Sequence, residues 1–311
     1  MDERGIVLVT RPTRLQDLLV RHNTEGQARF QVEQQGADFG DYELEHRTYT
    51  AAAAAAEAVL RRFGRVHRLD RQFLPNYMFA PDALVVAIGQ DGLVANALKY
   101  LRAAQPVIGV NPDTARWDGF LLPFTVQDLA KIMPEALAKK RPLRRVTMAR
   151  ATLSDGQELH AVNDFFIGPR THISARYVIR QGDRAETQSS SGLIVSTGLG
   201  STGWFQSLLA GAAGIAAQHT LEDGAQAMRG QGFASDARHL HYVVREPFPS
   251  RTTQAQMVFG QITPAEPLRL VSQMPGYGII FSDGIEADFL EFNAGVTATI
   301  DIAERFGQLI N

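Results

Sequence analysis

The chain has 311 residues, 45% of them hydrophobic, which is enough for two ordinary domains with full cores. Its 31 Lys and Arg against 33 Asp and Glu leave a formal net charge of −2, which argues against a dedicated nucleic-acid binder but not against a small anionic ligand held by a few arginines. With no cysteine, disulfides, thiolate catalysis and Cys-ligated zinc are excluded.

Residues 6–10 (IVLVT) read as a short buried strand. A helix is expected over 15–35 and a second over 42–63. In the second, the alanines of 51–56 are the best helix formers and Gly64 ends the run. Strands follow at 66–69 and 83–88, a helix at 92–104 and a strand at 107–110. Such alternation implies a parallel sheet with both faces covered. After about residue 143 the pattern changes. Strands are read at 144–153, 159–167, 173–181 and 193–196, then one helix at 205–218. Further strands are read at 241–245, 256–262, 267–272, 278–282 and 296–302. The expected fold is an α/β domain with a parallel sheet over 1–143, followed by an antiparallel, β-sandwich-like domain over 144–303. The boundary falls at the basic, Pro-containing link Lys139-Lys140-Arg141-Pro142. Residues 304–311 form a tail expected to pack back on the first domain. The Gly-, Ala- and Gln-rich stretch 225–238 reads as a surface loop or a short helix. No basic n-region with a long apolar core opens the chain, and no apolar run approaches the roughly 20 residues of a membrane span, so a soluble cytoplasmic protein is expected.

Four groups of residues suggest chemistry. Gly89-Gln90-Asp91-Gly92 follows a buried strand and opens a helix, where ligands bind in open α/β sheets and where free N–H groups attract phosphate. An acid there repels phosphate. Asp91 therefore either caps its helix, holds Mg²⁺ or polarises a substrate hydroxyl. No GxxxxGK[ST] pattern is present, which excludes a P-loop kinase. Asn163-Asp164 interrupts an apolar β-run, as a pair needing polar partners or as a bulge or strand edge. Thr10-Arg11-Pro12 ends the first strand on the same sheet edge as Asp91. Arg11, and Arg176 further on, are phosphate candidates or ordinary surface arginines. The segment 191–204 (SGLIVSTGLGSTGW) runs from strand into Gly, Ser and Thr and ends in an aromatic. Small residues there bring the backbone close to a phosphate, a ribose or another backbone, hydroxyls donate and accept, and Trp204 offers a flat face. His239 and His241 share one strand face but lack a third metal ligand by spacing, and no metal-ligating residue is assigned. Trp117 reads as core or interface.

In this order, Gly89–Gly92, Val110-Asn111, Asn163-Asp164 and 192–204 resemble the motifs of the NAD kinase family over roughly residues 80–300. The stretch IGVNPD, Ser190-Ser191-Gly192, Trp204 and Arg245-Glu246-Pro247 look most like the mitochondrial-type branch. The resemblance implies an α/β domain and a β-rich domain with the active site between them. It also implies transfer of the γ-phosphate of ATP, or of another donor, to the 2′-hydroxyl of the adenosine ribose of NAD. In that case Asp91 is the base or orienter of the hydroxyl. Asn163 and Asp164 hold the adenosine. Thr202, with the hydroxyls of Ser191, Thr197 and Ser201, binds adenine or ribose edges, and Trp204 stacks or walls the pocket. Gly89, Gln90, Gly92, Asn111, Arg11 and Arg176 lie on the phosphate side, with Mg²⁺ offsetting charge. The implied partner is a small-molecule dinucleotide, not nucleic acid or membrane, and the implied assembly a homodimer or higher homo-oligomer joined through the β-rich domain. Gln90 replaces the second Gly of GGDG, Leu93 replaces a Thr, Leu199 stands for a small polar residue and Gly203 for Ala. These departures keep two alternatives open: a kinase for another hydroxylated acceptor (sugar, nucleoside or lipid), and a non-catalytic NAD(P)-binding sensor.

Overall fold

A computed structural model describes residues 5–103, 105–218 and 232–311. The chain divides into two units, Met1–Arg144 with Gln308–Asn311, and Arg145–Gly307.

In the first unit the order is β1 (Ile6–Thr10), α1 (Arg14–His22), α2 (Glu25–Gln34), α3 (Phe39–Leu60), β2 (Val66–Asp70), β3 (Leu84–Ile88), α4 (Asp91–Tyr100), β4 (Pro106–Asn111), β5 (Phe124–Thr125) and α5 (Leu129–Leu137). The parallel sheet runs β4-β3-β1-β2, with β5 also on β4. Every residue of β1 and β3 is buried, as expected for strands covered on both faces. α3 and α5 share one core with Ile6, Leu8, Leu84, Val86, Ile88, Ile108 and Val110. The single helix expected over 15–35 is two. Asn23 ends α1 with a left-handed φ of 62°, and Thr24 caps α2 by accepting the Gln27 N–H. α5 was not expected; it is short and carries an internal Pro134.

The second unit holds β6 (Leu143–Leu153), β7 (Glu158–Ala161), β8 (Asp164–Pro169), β9 (Ala175–Gln181), β10 (Arg184–Ser190), β11 (Leu193–Ser196), α6 (Trp204–Ala217), β12 (Leu240–Val244), β13 (Phe259–Ile262), β14 (Leu268–Ser272), β15 (Gly278–Ser282), β16 (Ile285–Glu291) and β17 (Thr297–Ile310). One sheet has the order β13-β12-β11-β8-β15-β16, antiparallel throughout. The other contains β10-β9-β14-β17 and the β6–β7 hairpin. Alternate residues of both sheets meet in one core: Tyr177, Ile179, Leu268 and Leu270 from one, Phe165, Ile167, Leu193, Val195 and Tyr242 from the other. This is sandwich packing. α6 covers the outer face of the all-antiparallel sheet, where Trp204 and Leu208 pack on Phe166, Ile194 and Ile279. The last residues of β17 belong to the first unit, where Gln308 and Leu309 pair in parallel with Pro106 and Val107.

The strand expected over 159–167 breaks at Val162-Asn163 into β7 and β8. β10 and β16 were not expected. β10 (RAETQSS) is polar on both faces, and β16 follows a tight Asp283-Gly284 turn with φ of 56° and 70°. Residues 225–231 of the stretch 225–238 lie outside the described residues.

Candidate functional site

Two clusters carry the sequence candidates, one in each unit. In the first unit, β1, β3 and β4 end together and deliver Arg11, Gly89 and Asn111 to the carboxyl edge of the sheet. Tyr49 of α3 joins two of these ends. Its hydroxyl accepts the Arg11 N–H at 2.9 Å and donates to the Ile88 carbonyl at 3.1 Å. One helical turn earlier, the Glu45 carboxylate accepts from Arg11 Nη2 at 2.8 Å and from Arg14 Nε at 3.0 Å. Burial alone would raise the Glu45 carboxyl, but the two guanidinium groups outweigh it and hold it below the ordinary range. Burial pushes the Tyr49 phenol up, which keeps it a neutral hydroxyl able to bridge. Arg11 is itself buried, and its Nε has no hydrogen-bond partner among the described residues.

Asp91 is the first residue of α4. The cap position belongs to Gln90, whose side chain makes no capping bond. The Asp91 carboxylate instead accepts the Leu121 N–H at 2.7 Å, tying down the loop after β4. Asn111 holds the same loop. Its Nδ2 donates to the Trp117 carbonyl at 2.9 Å and its Oδ1 accepts the Asp113 N–H at 3.0 Å. A third tether is Asp41, which accepts from both Arg116 and Arg14 and lies well below the usual carboxylate range because of those two hydrogen bonds, Arg116 first. A cavity of about 610 Å³ opens here, lined among others by Arg11, Arg14, Glu45, Asp70, Gln90 and Trp117. A Cβ on Gly89 would stand 2.9 Å from Cδ2 of the fully buried Leu93, so any larger residue there must displace that side chain. The Leu93 departure from the resemblance is thus a core residue under the turn.

In the second unit, Asn163-Asp164 sits in the break between β7 and β8. Asp283 makes that break. Its carboxylate accepts the N–H groups of Val162 at 3.1 Å, Asn163 at 2.7 Å and Asp164 at 3.4 Å, and its own N–H donates to the Asp164 carbonyl at 3.0 Å. The Asp164 carboxyl is 9% exposed and is pushed up to about 7, by burial first and by the Asp283 charge second. The Gly- and Ser-rich segment after β11 packs against this break. The Thr197 hydroxyl donates to the Val162 carbonyl at 2.6 Å, and the Thr197 N–H donates to the Asn163 carbonyl at 2.9 Å. A Cβ on Gly200 would lie 2.1 Å from the Asn163 carbonyl oxygen, and one on Gly198 1.9 Å from that of Ala234. Close backbone approach is real here, but the approach is of chain to chain. Ser201 donates to the Gly198 carbonyl at 2.7 Å and accepts the Phe233 N–H at 3.0 Å. Thr202 is exposed. Trp204 stacks on Phe166, with centroids 5.9 Å apart and planes 7° apart. Ser191 lines a separate cavity of about 480 Å³. Arg176 is exposed on β9, away from the Asn163-Asp164 break in sequence and facing out of the sandwich core. The rings of His239 and His241 meet edge to face at 5.1 Å, with Phe233 against both.

Glu45, Tyr49 and Asp283 escaped the sequence reading. A Glu on the otherwise buried face 39, 45, 49, 53, 56, 60 of α3 was the available signal for the first two. The Asp-Gly pair after an apolar strand was the signal for the third. Among the described residues, no group of three or more His, Cys, Asp or Glu is arranged to hold a metal ion, and no helix is long and apolar enough to cross a membrane.

No protein-family model matches this chain, and no curated protein matches it by sequence. Solved structures do match. A crystal structure of an NAD kinase from Archaeoglobus fulgidus in complex with ATP aligns with a TM-score of 0.59 at 16% identity, covering 99% of this chain and 93% of that one. Yeast NADH kinase complexed with NADH aligns with a TM-score of 0.60 at 14% identity, covering 100% of this chain and 84% of that one. At these identities the likeness is one of fold: the chain has an NAD kinase-like fold, with the mixed α/β sheet and the all-antiparallel sheet expected from its sequence.

Proposed function

We propose that the protein is an NAD kinase, which transfers a phosphoryl group from ATP or another donor to the 2′-hydroxyl of the adenosine ribose of NAD, giving NADP. The observation that carries this reading is Asp91, a half-buried carboxylate at the head of α4 on the carboxyl edge of a parallel sheet, within an NAD kinase-like fold. An acid at a helix N-terminus suits a hydroxyl nucleophile, since the helix end already attracts the phosphate it attacks. On this reading the ribose hydroxyl takes the place of the Leu121 N–H on Asp91. The O2′–phosphorus bond forms as the bond to the leaving phosphate oxygen breaks, and the hydroxyl proton passes to the Asp91 carboxylate.

Asn163 and Asp164 are proposed to hold the adenosine, with Thr202 and Ser191 as further contacts and Trp204 as a wall. Thr197 and Ser201 act one step back, by fixing the Val162–Asp164 break and the segment that leads to Trp204. Gly89, Gly92, Gln90, Asn111 and Arg11 are proposed for the phosphate side. Mg²⁺, if bound with the donor, would offset phosphate charge. Carboxylates that could help to hold it include Asp91 and, in the cavity that Gln90 lines, Asp70; Glu45 of that cavity is already engaged by Arg11 and Arg14. Ser191, Trp204 and Arg245-Glu246-Pro247 favour the mitochondrial-type branch of the family. A homodimer or higher homo-oligomer in the cytoplasm completes the proposal.

One observation favours the second reading, a dinucleotide-binding protein without turnover. Arg11 is already paired with Glu45, and both amide atoms of Asn111 are engaged within the protein. One assay separates the two. NADP formation from NAD with ATP and Mg²⁺, followed by coupled reduction, is expected from the kinase. Tight NAD binding by folded protein without product from any donor supports the sensor. Turnover that rises in Gln90→Gly returns the reading to an enzyme with a narrowed donor side.

A further inference from the structure

We propose that Arg170 and Arg245 form a phosphoryl-binding site in the second unit, in the cavity of about 480 Å³ that Ser191 lines. The cavity also carries Phe166, His172 and Glu246. Neither guanidinium makes a side-chain hydrogen bond or ion pair within the described residues. Arg245 instead lies over two aromatic rings and Arg170 over one. Arg245 Cζ is 5.8 Å from the Phe166 centroid and 5.5 Å from that of Trp204, and Arg170 Cζ is 4.1 Å from the Phe289 centroid.

A ring attracts a guanidinium through its π-face without accepting its N–H groups as a carboxylate would, so the donors remain available. Those donors form the fork that grips phosphate oxygens two at a time. The rings also restrict the side chains before any ligand arrives, which lowers the ordering cost of binding. The backbone is fixed as well. The Arg245 N–H donates to the Gly192 carbonyl at 2.8 Å, the Ser191 N–H to the Arg245 carbonyl at 2.9 Å, and the Arg170 N–H to the Tyr277 carbonyl at 2.8 Å. Glu246, next to Arg245, takes a left-handed φ of 46°, a conformation that costs a non-glycine residue and recurs at ligand clamps. Glu246 is the one carboxylate against two guanidinium groups among the lining residues, so the lining remains net cationic. The hydroxyls of Thr171, Ser174 and Ser191 add neutral donors. This balance suits a phosphoryl group, whether it belongs to the diphosphate of a dinucleotide or to a free phosphate compound. The site stands independently of the kinase reading.

The test is calorimetric titration of the full chain with inorganic pyrophosphate. Saturable binding is expected, weakened at least tenfold in Arg170→Gln/Arg245→Gln and less in Arg170→Lys/Arg245→Lys, which keeps charge but loses the fork. Ser191→Asp, which adds a carboxylate without touching either arginine, is expected to weaken binding and serves if the glutamine variant fails to fold. Equal affinity in wild type and Ser191→Asp, equal affinity in a folded glutamine variant, or no saturable binding to wild type would overturn the site. Adding NAD identifies the source. Displacement of pyrophosphate assigns the site to the dinucleotide's diphosphate, and simultaneous binding assigns it to a separate phosphate ligand.

Discussion

Asp164 makes a demanding prediction, because its environment sets both a sign and a size. Its carboxyl is pushed up to about 7 from an ordinary value of 3.8, by burial and then by the Asp283 charge. Between those two values the folded chain keeps a proton that the unfolded chain has lost. Unfolding then releases a proton, so stability falls as pH rises through this window. The loss is complete above pH 7 and absent below pH 4. At 1.36 kcal/mol per unit, the full shift is worth about 4 kcal/mol, an upper figure because movement of the Asp283 turn can relieve part of it. Asp164→Asn keeps the shape and removes the titration. Urea unfolding of both proteins from pH 4 to pH 8.5 measures the difference. The variant is expected to gain on wild type by at least about 2 kcal/mol across that range, with the two nearly equal at the acid end. Parallel stability curves, with a change in the difference below about 1 kcal/mol, would refute a buried, acid-facing carboxyl at this position.

Three further perturbations test the two clusters. Tyr49→Phe leaves the Arg11 N–H and the Ile88 carbonyl without their shared partner, and denaturant unfolding should show a loss of about 2 kcal/mol; a loss under about 0.5 kcal/mol would remove Tyr49 as the clamp between β1 and β3. Gly200→Ala drives a methyl group against the Asn163 carbonyl oxygen, backbone on backbone, and should cost about 3 kcal/mol or prevent folding; a thermal midpoint equal to wild type would contradict the close approach. Asp41→Asn weakens the tether of Arg116, so amide exchange over residues 112–120 should quicken while the global melting temperature holds; unchanged protection there would show that Asn111 and Asp91 hold the loop without it.

Much of the fold was legible because the buried strands announce themselves. LVVAI is apolar at every position and IVLVT at every position but Thr10, as suits strands covered on both faces, and both stand where the sequence put them. Two kinds of element were not legible. β10 carries Arg, Glu, Thr, Gln and Ser, and pairing with β9 rather than apolar pattern makes it a strand. The break at Val162-Asn163 is imposed by Asp283, about 120 residues away, and nothing local announces such a partner. Site residues show the same division. Asn163 and Asp164 stood out as polar residues in an apolar β-run, and Asp91 as an acid in a turn that attracts phosphate. Glu45 and Tyr49 lie inside an alanine-rich helix, and their work at the sheet edge depends on the packing of α3 onto β1. The small residues of 197–203 announced a close backbone approach to a ligand or to another backbone, and at Gly198 and Gly200 it is the protein's own backbone that comes close.

The central claim is that Asp91 acts on the 2′-hydroxyl of NAD, and Asp91→Asn tests it most directly. The substitution keeps an oxygen to accept the Leu121 N–H but removes the proton acceptor. NADP formation with ATP and Mg²⁺, measured beside NAD affinity on the same preparation, should fall at least about a hundredfold while affinity changes by less than about threefold. Wild-type turnover in the variant would contradict the account.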